Sequence, residues 1–202
     1  MARAHVASWL GDPEPDARGM LSFNPLHHID PVGTIVVPVM LALIQAPVLG
    51  WGKGLPIDGQ RMRNPRFDPA VVAVTGPLIY LFMCALAAMG VAALTSGSGA
   101  AATTQNVPLV LLLNLMQVTA MLTVFNLLPL PPLNGAYLIS ALLPRAWAAR
   151  YEQAGRYGMI VLILLVIILP SISPDLDMIG GILAPIALAI VRFFLWSAGV
   201  LG

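Results

Sequence analysis

The sequence has little charge and a single cysteine. Only 9% of its 202 residues are Asp, Glu, Lys or Arg, whereas a soluble domain carries roughly 25%. No charged residue occurs between Pro69 and Pro144. This scarcity excludes a surface made mainly for water. The formal net charge of +1 carries no information about nucleic acid, and we expect no nucleic-acid partner. Cys84 has no partner for an intrachain disulfide, and we expect it to be a small buried apolar residue.

Long apolar runs predict an all-α polytopic membrane protein, with about 4–6 membrane segments and the lipid bilayer as its surroundings. The candidate segments are 32–50, 69–94, 107–128, 157–172 and 178–201. The first contains two prolines, which permit a re-entrant path instead of a full crossing. Arginine-rich loops at 51–68 and 145–156 are predicted to face the cytoplasm. The expected location is the cell membrane, as a multi-pass protein of a prokaryotic inner or plasma membrane.

The segment PLPPLNG at 129–135 predicts irregular backbone at the end of an apolar helix. Its prolines remove hydrogen-bond donors and clash with the preceding turn, so a regular helix is excluded. Unwound backbone at membrane depth is tolerated only where it is buried in protein or lines a wet cavity. Asn126 and Asn134 flank this Pro-rich element. They either cap frayed helix ends or belong to a functional site.

Five ordered segments resemble the site-2 protease family of intramembrane zinc metalloproteases, over about residues 3 to 145. They are LGDP at 10–13, NPLHHIDP at 24–31, GWGKGLP at 50–56 with RNPR at 63–66, GP at 76–77, and FNLLPLPPLNG at 125–135. The resemblance implies one membrane domain over residues 1–202. It also implies an enzyme that cuts peptide bonds within transmembrane segments. Such members use two histidines and a glutamate of a His-Glu-x-x-His helix, with an aspartate as third zinc ligand.

The chain departs from the family at the metal positions. The third-ligand position holds Asn134, and the second-ligand position falls on Arg3. The first histidine and the glutamate would precede Met1, so we expect the first zinc-motif helix to be truncated. His5 is a weak substitute, because two residues along a helix correspond to a rotation of about 200°. The family uses zinc, but we expect no intact catalytic residue here and no bound zinc.

The resemblance also implies a groove that holds the substrate's transmembrane segment. The positions that match it are Asn126, Pro129, Pro131, Gly135, Trp51, Lys53, Pro56 and His28. His28 has a structural alternative, as a hydrogen-bonded residue of the loop. Asp30 is expected to cap or brace the turn at Pro31, because Asp side chains commonly accept hydrogen bonds from backbone N–H groups in turns.

Three functions remain open from the sequence. We favour a catalytically impaired member that binds transmembrane segments of other membrane proteins without cutting them. The first alternative is an active site-2-type metallopeptidase with a rearranged site. The second is a non-enzymatic membrane transporter or binding module, which the lack of charged residues between positions 69 and 144 disfavours.

Overall fold

The computed structural model describes residues 2–17, 19–22, 24–43, 52–53, 59–96, 106–131, 133–173 and 177–201. These residues form helices and turns, and no strand occurs among them. The chain divides into two compact units, Met1–Val72 and Ala73–Gly202. Each unit is described by itself below.

The described residues of the first unit form three helices, α1 (Ala2–Trp9), α2 (Glu14–Ala17) and α3 (Val32–Leu43). α3 opens with wide π-type turns, and a short 3₁₀ turn over Pro25–His28 precedes it. Helix α1 ends at Trp9, and the turn that follows contains Gly11, whose φ of +105° is in the left-handed region that glycine adopts without a steric cost. The core of this unit joins Ala7 of α1 to Met62 and Val72.

The second unit contains most of α4 (Asp68–Ser96), which begins in the first unit, and six further helices. These are α5 (Val107–Asn126), α6 (Asn134–Leu142), α7 (Arg145–Ala154), α8 (Gly158–Ile163), α9 (Leu169–Ile172) and α10 (Ile179–Ser197). A π-type stretch over Leu164–Ile168 joins α8 to α9, so the predicted segment 157–172 is helical for nearly its whole length.

Small side chains form the contacts between the long helices. Cys84, Ala87 and Ala88 of α4 pack against Met116 of α5, and α10 covers the same cluster. Small residues at helix interfaces let backbones approach closely, which is how helices associate where lipid is the solvent. Cys84 is fully buried, as expected from the sequence.

Three of the described helices are long and apolar enough to cross a membrane. They are Asp68–Ser96, Val107–Asn126 and Ile179–Ser197, and Val32–Leu43 is a shorter apolar helix. Apolar side chains cover much of their outer surface, as bilayer-facing helices require. The chain is therefore an all-α membrane protein, as the sequence predicted. Residues 44–50 of the predicted segment 32–50 lie outside the described part of the chain.

Candidate functional site

The Pro-rich element forms a compact turn between α5 and α6. The Leu128 amide donates to the Phe125 carbonyl at 3.2 Å, and the Leu133 amide donates to the Leu130 carbonyl at 2.7 Å. The backbone thus satisfies its polar groups locally where the helix ends. The predicted groove positions Pro129 and Pro131 lie in this turn, the first exposed and the second half-buried.

Asn126 and Asn134 meet across the turn. Asn134 is 5% exposed and begins α6, and its Nδ2 donates to Oδ1 of Asn126 at 3.2 Å. Asn126 uses its own Nδ2 to donate to the Leu122 carbonyl in the last turn of α5, at 2.8 Å. The two amides therefore join the end of one helix to the start of the next. Asn134 does not cap α6, whose N-cap residue is Leu133 with no side-chain hydrogen bond.

Gly135 allows the turn to close. A Cβ atom at this position would overlap the carbonyl oxygens of Leu127 and Leu128. Because both neighbours are backbone atoms, no side-chain rotation would relieve the overlap. The glycine is thus required by the close approach of α6 to the end of α5.

Helix α7, which follows later in the chain, contacts and stabilises the Pro-rich turn. The Tyr151 hydroxyl donates to the Pro129 carbonyl at 2.6 Å, and burial raises the pKa of this phenol above its ordinary value. Gly155 lies so close to Pro131 that a Cβ atom would sit 3.1 Å from the proline ring. None of these bracing residues was among the site residues predicted from the sequence.

A second hydrogen bond ties α7 to α6. The Ser140 hydroxyl donates to Oε1 of Glu152 at 2.6 Å. Helix α6 carries Asn134 at its first residue. The Pro-rich turn and the helix that follows it are therefore both fixed to α7.

In the first unit, Arg3 and His5 are both half-buried on α1. The buried face of this helix is marked by Ala4 and Ala7. Since residues 2–9 are helical, His5 projects about 200° away from Arg3 around the helix axis. His5 therefore lies on nearly the opposite side of α1 from Arg3, which makes it a weak substitute for the second ligand.

The element containing His28 is held by its own hydrogen bonds. His28 Nε2 lies 3.0 Å from the Ser22 carbonyl oxygen, and the His28 carbonyl accepts from the Lys53 amide at 2.9 Å. Asp30 Oδ1 accepts from the backbone N–H groups of Val32 and Gly33 at 2.9 and 3.0 Å. The predicted bracing role of Asp30 is confirmed. The other two groove positions in this region, Trp51 and Pro56, lie outside the described residues.

The residues at the two positions that the resemblance assigns to zinc ligands do not suit zinc. Asn134 offers a neutral amide, while zinc sites in proteins use thiolate, imidazole or carboxylate ligands. Arg3 offers a guanidinium, which is a permanent cation with no lone pair for a metal. Across the described ranges, no group of three His, Cys, Asp or Glu side chains is arranged to hold a metal ion. We therefore derive no chemical step through zinc.

The amino-acid sequence of this chain is similar to that of a known bacterial protein. The chain is 33% identical over 173 residues to a Bacillus subtilis (strain 168) protein named "Putative zinc metalloprotease YwhC". The match covers 82% of this chain and 73% of that protein. The chain belongs to this metalloprotease-like family. No protein-family profile matches the chain. No solved structure matches it.

Membership of this metalloprotease-like family gives the site its context. Zinc is part of the relative's name, whereas Arg3 and Asn134 are unsuited to bind it. The geometry of the Pro-rich turn, by contrast, is fully built from hydrogen bonds and close backbone contacts. The chain thus has an ordered turn that carries the Asn134 amide at the position where the resemblance expects the third ligand.

Proposed function

We propose that this protein is a site-2-type member of its family that binds transmembrane segments of other membrane proteins in the cell membrane without zinc-dependent cleavage. Five ordered motifs carry the resemblance to site-2 proteases, and the Bacillus relative supports a metalloprotease-like scaffold. In the second unit, the residues that the resemblance assigns to the groove are Asn126, Pro129, Pro131 and Gly135 of the Pro-rich turn.

The observation that carries the proposal is the bond between the two asparagine amides. Asn134 occupies the third-ligand position and donates its Nδ2 hydrogen to Asn126. A carboxylate there would be an anionic acceptor suited to a metal, whereas this amide is a donor turned towards a neighbouring amide. The side chain serves to close the turn, and the turn remains as a binding surface.

The shape of the turn supports a binding role. Leu127 is 43% exposed beside the Asn126–Asn134 pair, and the Pro129 side chain is also exposed. An apolar segment of a partner helix would bury such side chains by van der Waals contact, which drives helix association within membranes. The amide pair and Tyr151 fix the backbone, so the surface is ordered before a partner arrives.

A reconstituted reporter tests binding and cleavage together. The purified chain carries a photo-crosslinking residue in place of Leu127 and is mixed in liposomes with a tagged single-span reporter helix. The matched control places the same residue at Leu188, which is 49% exposed on α10. We expect crosslinks from position 127 to exceed those from 188. Mass spectrometry of the reporter should show no product that a chelator abolishes.

Each result decides between functions. Equal crosslinking from both positions would remove the proposed binding surface. Chelator-sensitive cleavage would instead support the active metallopeptidase, the function that the relative's name suggests. Crosslinking from position 127 with an intact reporter is the outcome that the proposal requires.

A further inference from the structure

Two arginines of the second unit lie over exposed aromatic rings at the boundary of an apolar helix. The Arg150 guanidinium carbon is 5.8 Å from the centroid of the Trp147 ring, and that of Arg156 is 5.8 Å from the Tyr157 ring. Trp147 is 62% exposed and Tyr157 is 59% exposed. Neither pair takes part in the bonds that brace the Pro-rich turn.

The position of these pairs in the chain places them near a membrane surface. No charged residue occurs from Tyr157 to Ser173, and this stretch is helical from Gly158 to Ile172. Arg156 and Tyr157 come directly before this helical stretch, and Trp147 and Arg150 lie on the preceding helix α7. Arginine and aromatic residues that flank an apolar helix are typical of the membrane–water interface. There the ring lies at the headgroup level, and the guanidinium reaches the water.

The positive charge of the segment from Arg145 to Tyr157 favours an anionic partner. Between Arg145 and Tyr157 there are three arginines and one acidic residue, Glu152. The Glu152 carboxylate accepts the Ser140 hydroxyl. Nε of Arg156 donates to the Gln153 carbonyl at 3.2 Å, so its two terminal NH₂ groups are the ones that can contact a ligand. A guanidinium held above an aromatic ring can bind a phosphate in two-point fashion through such groups.

We propose that the two arginine–aromatic pairs, Trp147 with Arg150 and Tyr157 with Arg156, form a docking surface for anionic phospholipid headgroups. This surface goes beyond the proposed binding of transmembrane segments, and it stands whether or not that function is correct. Because α7 also holds the Pro129 carbonyl through Tyr151, a headgroup bound by Trp147 and Arg150 would lie on the helix that braces the Pro-rich turn.

Tryptophan quenching in lipid nanodiscs measures the preference. The full chain is placed in discs that mix phosphatidylcholine and phosphatidylglycerol, with brominated chains on one lipid at a time. Subtracting the signal of Trp147→Phe isolates the quenching of Trp147. We expect half-maximal quenching at about fivefold lower mole fraction for brominated phosphatidylglycerol, the effect of roughly one basic residue near an anionic surface.

Matched variants separate the arginine–aromatic pairs from general positive charge. The double variant Arg150→Gln/Arg156→Gln should lose the preference. Arg150→Lys/Arg156→Lys should lose much of it, because lysine keeps the charge but not the stacked, two-point contact. The control Arg63→Gln/Arg145→Gln removes two exposed arginines that have no ring contact in the described part of the chain, and it should keep the preference. Equal quenching by both lipids in the native chain would overturn the proposal. Equal loss of preference in the control and the test variant would also overturn it.

Discussion

Nδ2 of Asn134 donates a hydrogen bond of 3.2 Å to Oδ1 of Asn126, and this bond joins the first residue of α6 to the last residue of α5. The two asparagines are eight positions apart in sequence, with the Pro-rich turn between them. The contact uses, for structure, the side chain at the position where the family resemblance places a zinc ligand. The structural role of Asn134 can therefore be measured as a change in the free energy of unfolding.

A double-mutant cycle tests this amide pair. Asn134→Ala should cost about 1 kcal/mol of unfolding free energy, because the partner amide loses its donor. The coupling energy with Asn126→Ala should be about 0.6 kcal/mol, the average for hydrogen bonds between membrane helices. Unfolding in mixed detergent micelles provides the free energies. The control cycle pairs Asn126 with Asn114, about 18 Å away along α5, and should show no coupling; a zero value for the test pair would contradict the structure.

Gly135→Ala should destabilise the protein severely, by about 3 kcal/mol or more, because the added methyl group meets two backbone carbonyls. Gly181→Ala is the matched control, since a Cβ atom there meets nothing within 4 Å. That variant should be unchanged or stabilised by less than about 1 kcal/mol, as expected for alanine in a helix. Thermal unfolding in detergent measures both. Equal effects of the two substitutions would mean that α6 does not approach α5 as described.

Tyr151→Phe removes the hydroxyl that binds the Pro129 carbonyl, and should cost about 1 kcal/mol at neutral pH. Burial raises the pKa of Tyr151 above 10.0, so the neutral phenol is favoured in the folded state. Its contribution is therefore complete below pH 10.0 and is lost as the pH rises through the folded pKa. The difference in unfolding free energy between the native chain and the variant should shrink in that alkaline range.

The exposed phenol of Tyr157 provides the control for this effect. Tyr157→Phe removes a hydroxyl from a ring that is 59% exposed. Its unfolding free energy at neutral pH should match that of the native chain. If Tyr151→Phe were equally silent, the bond from α7 to the Pro-rich turn would contribute nothing to stability.

The membrane helices were predictable because their signal is local. The predicted segments 69–94, 107–128 and 178–201 correspond to Asp68–Ser96, Val107–Asn126 and Ile179–Ser197. A bilayer sets a minimum apolar length, and polar or small residues mark its ends. The capping of α3 by Asp30 was likewise predictable, because the side chain bonds to backbone only two and three residues away.

The contacts around the candidate site were not predictable in the same way. Tyr151 bonds to a carbonyl 22 residues away, and nothing in the sequence pairs these two positions. Both asparagines were recognisable in the sequence as polar residues that flank an apolar, Pro-rich segment. Helical periodicity cannot relate their directions, because the prolines interrupt the helix between them. The relative direction of the two side chains therefore depends on the three-dimensional path of the turn. The requirement for glycine at position 135 was likewise not predictable, since its closeness to Leu127 and Leu128 arises only when α6 folds back.

The zinc content of the purified chain tests most directly the proposal that this protein keeps the fold of its family but binds no zinc. After zinc loading and desalting, we predict far less than one zinc ion per chain, and the same content in Asn134→Ala. Elemental analysis measures the content, and thermal unfolding with and without a chelator should give the same midpoint. About one zinc ion per chain, reduced by Asn134→Ala and removed by chelation with loss of stability, would contradict this account.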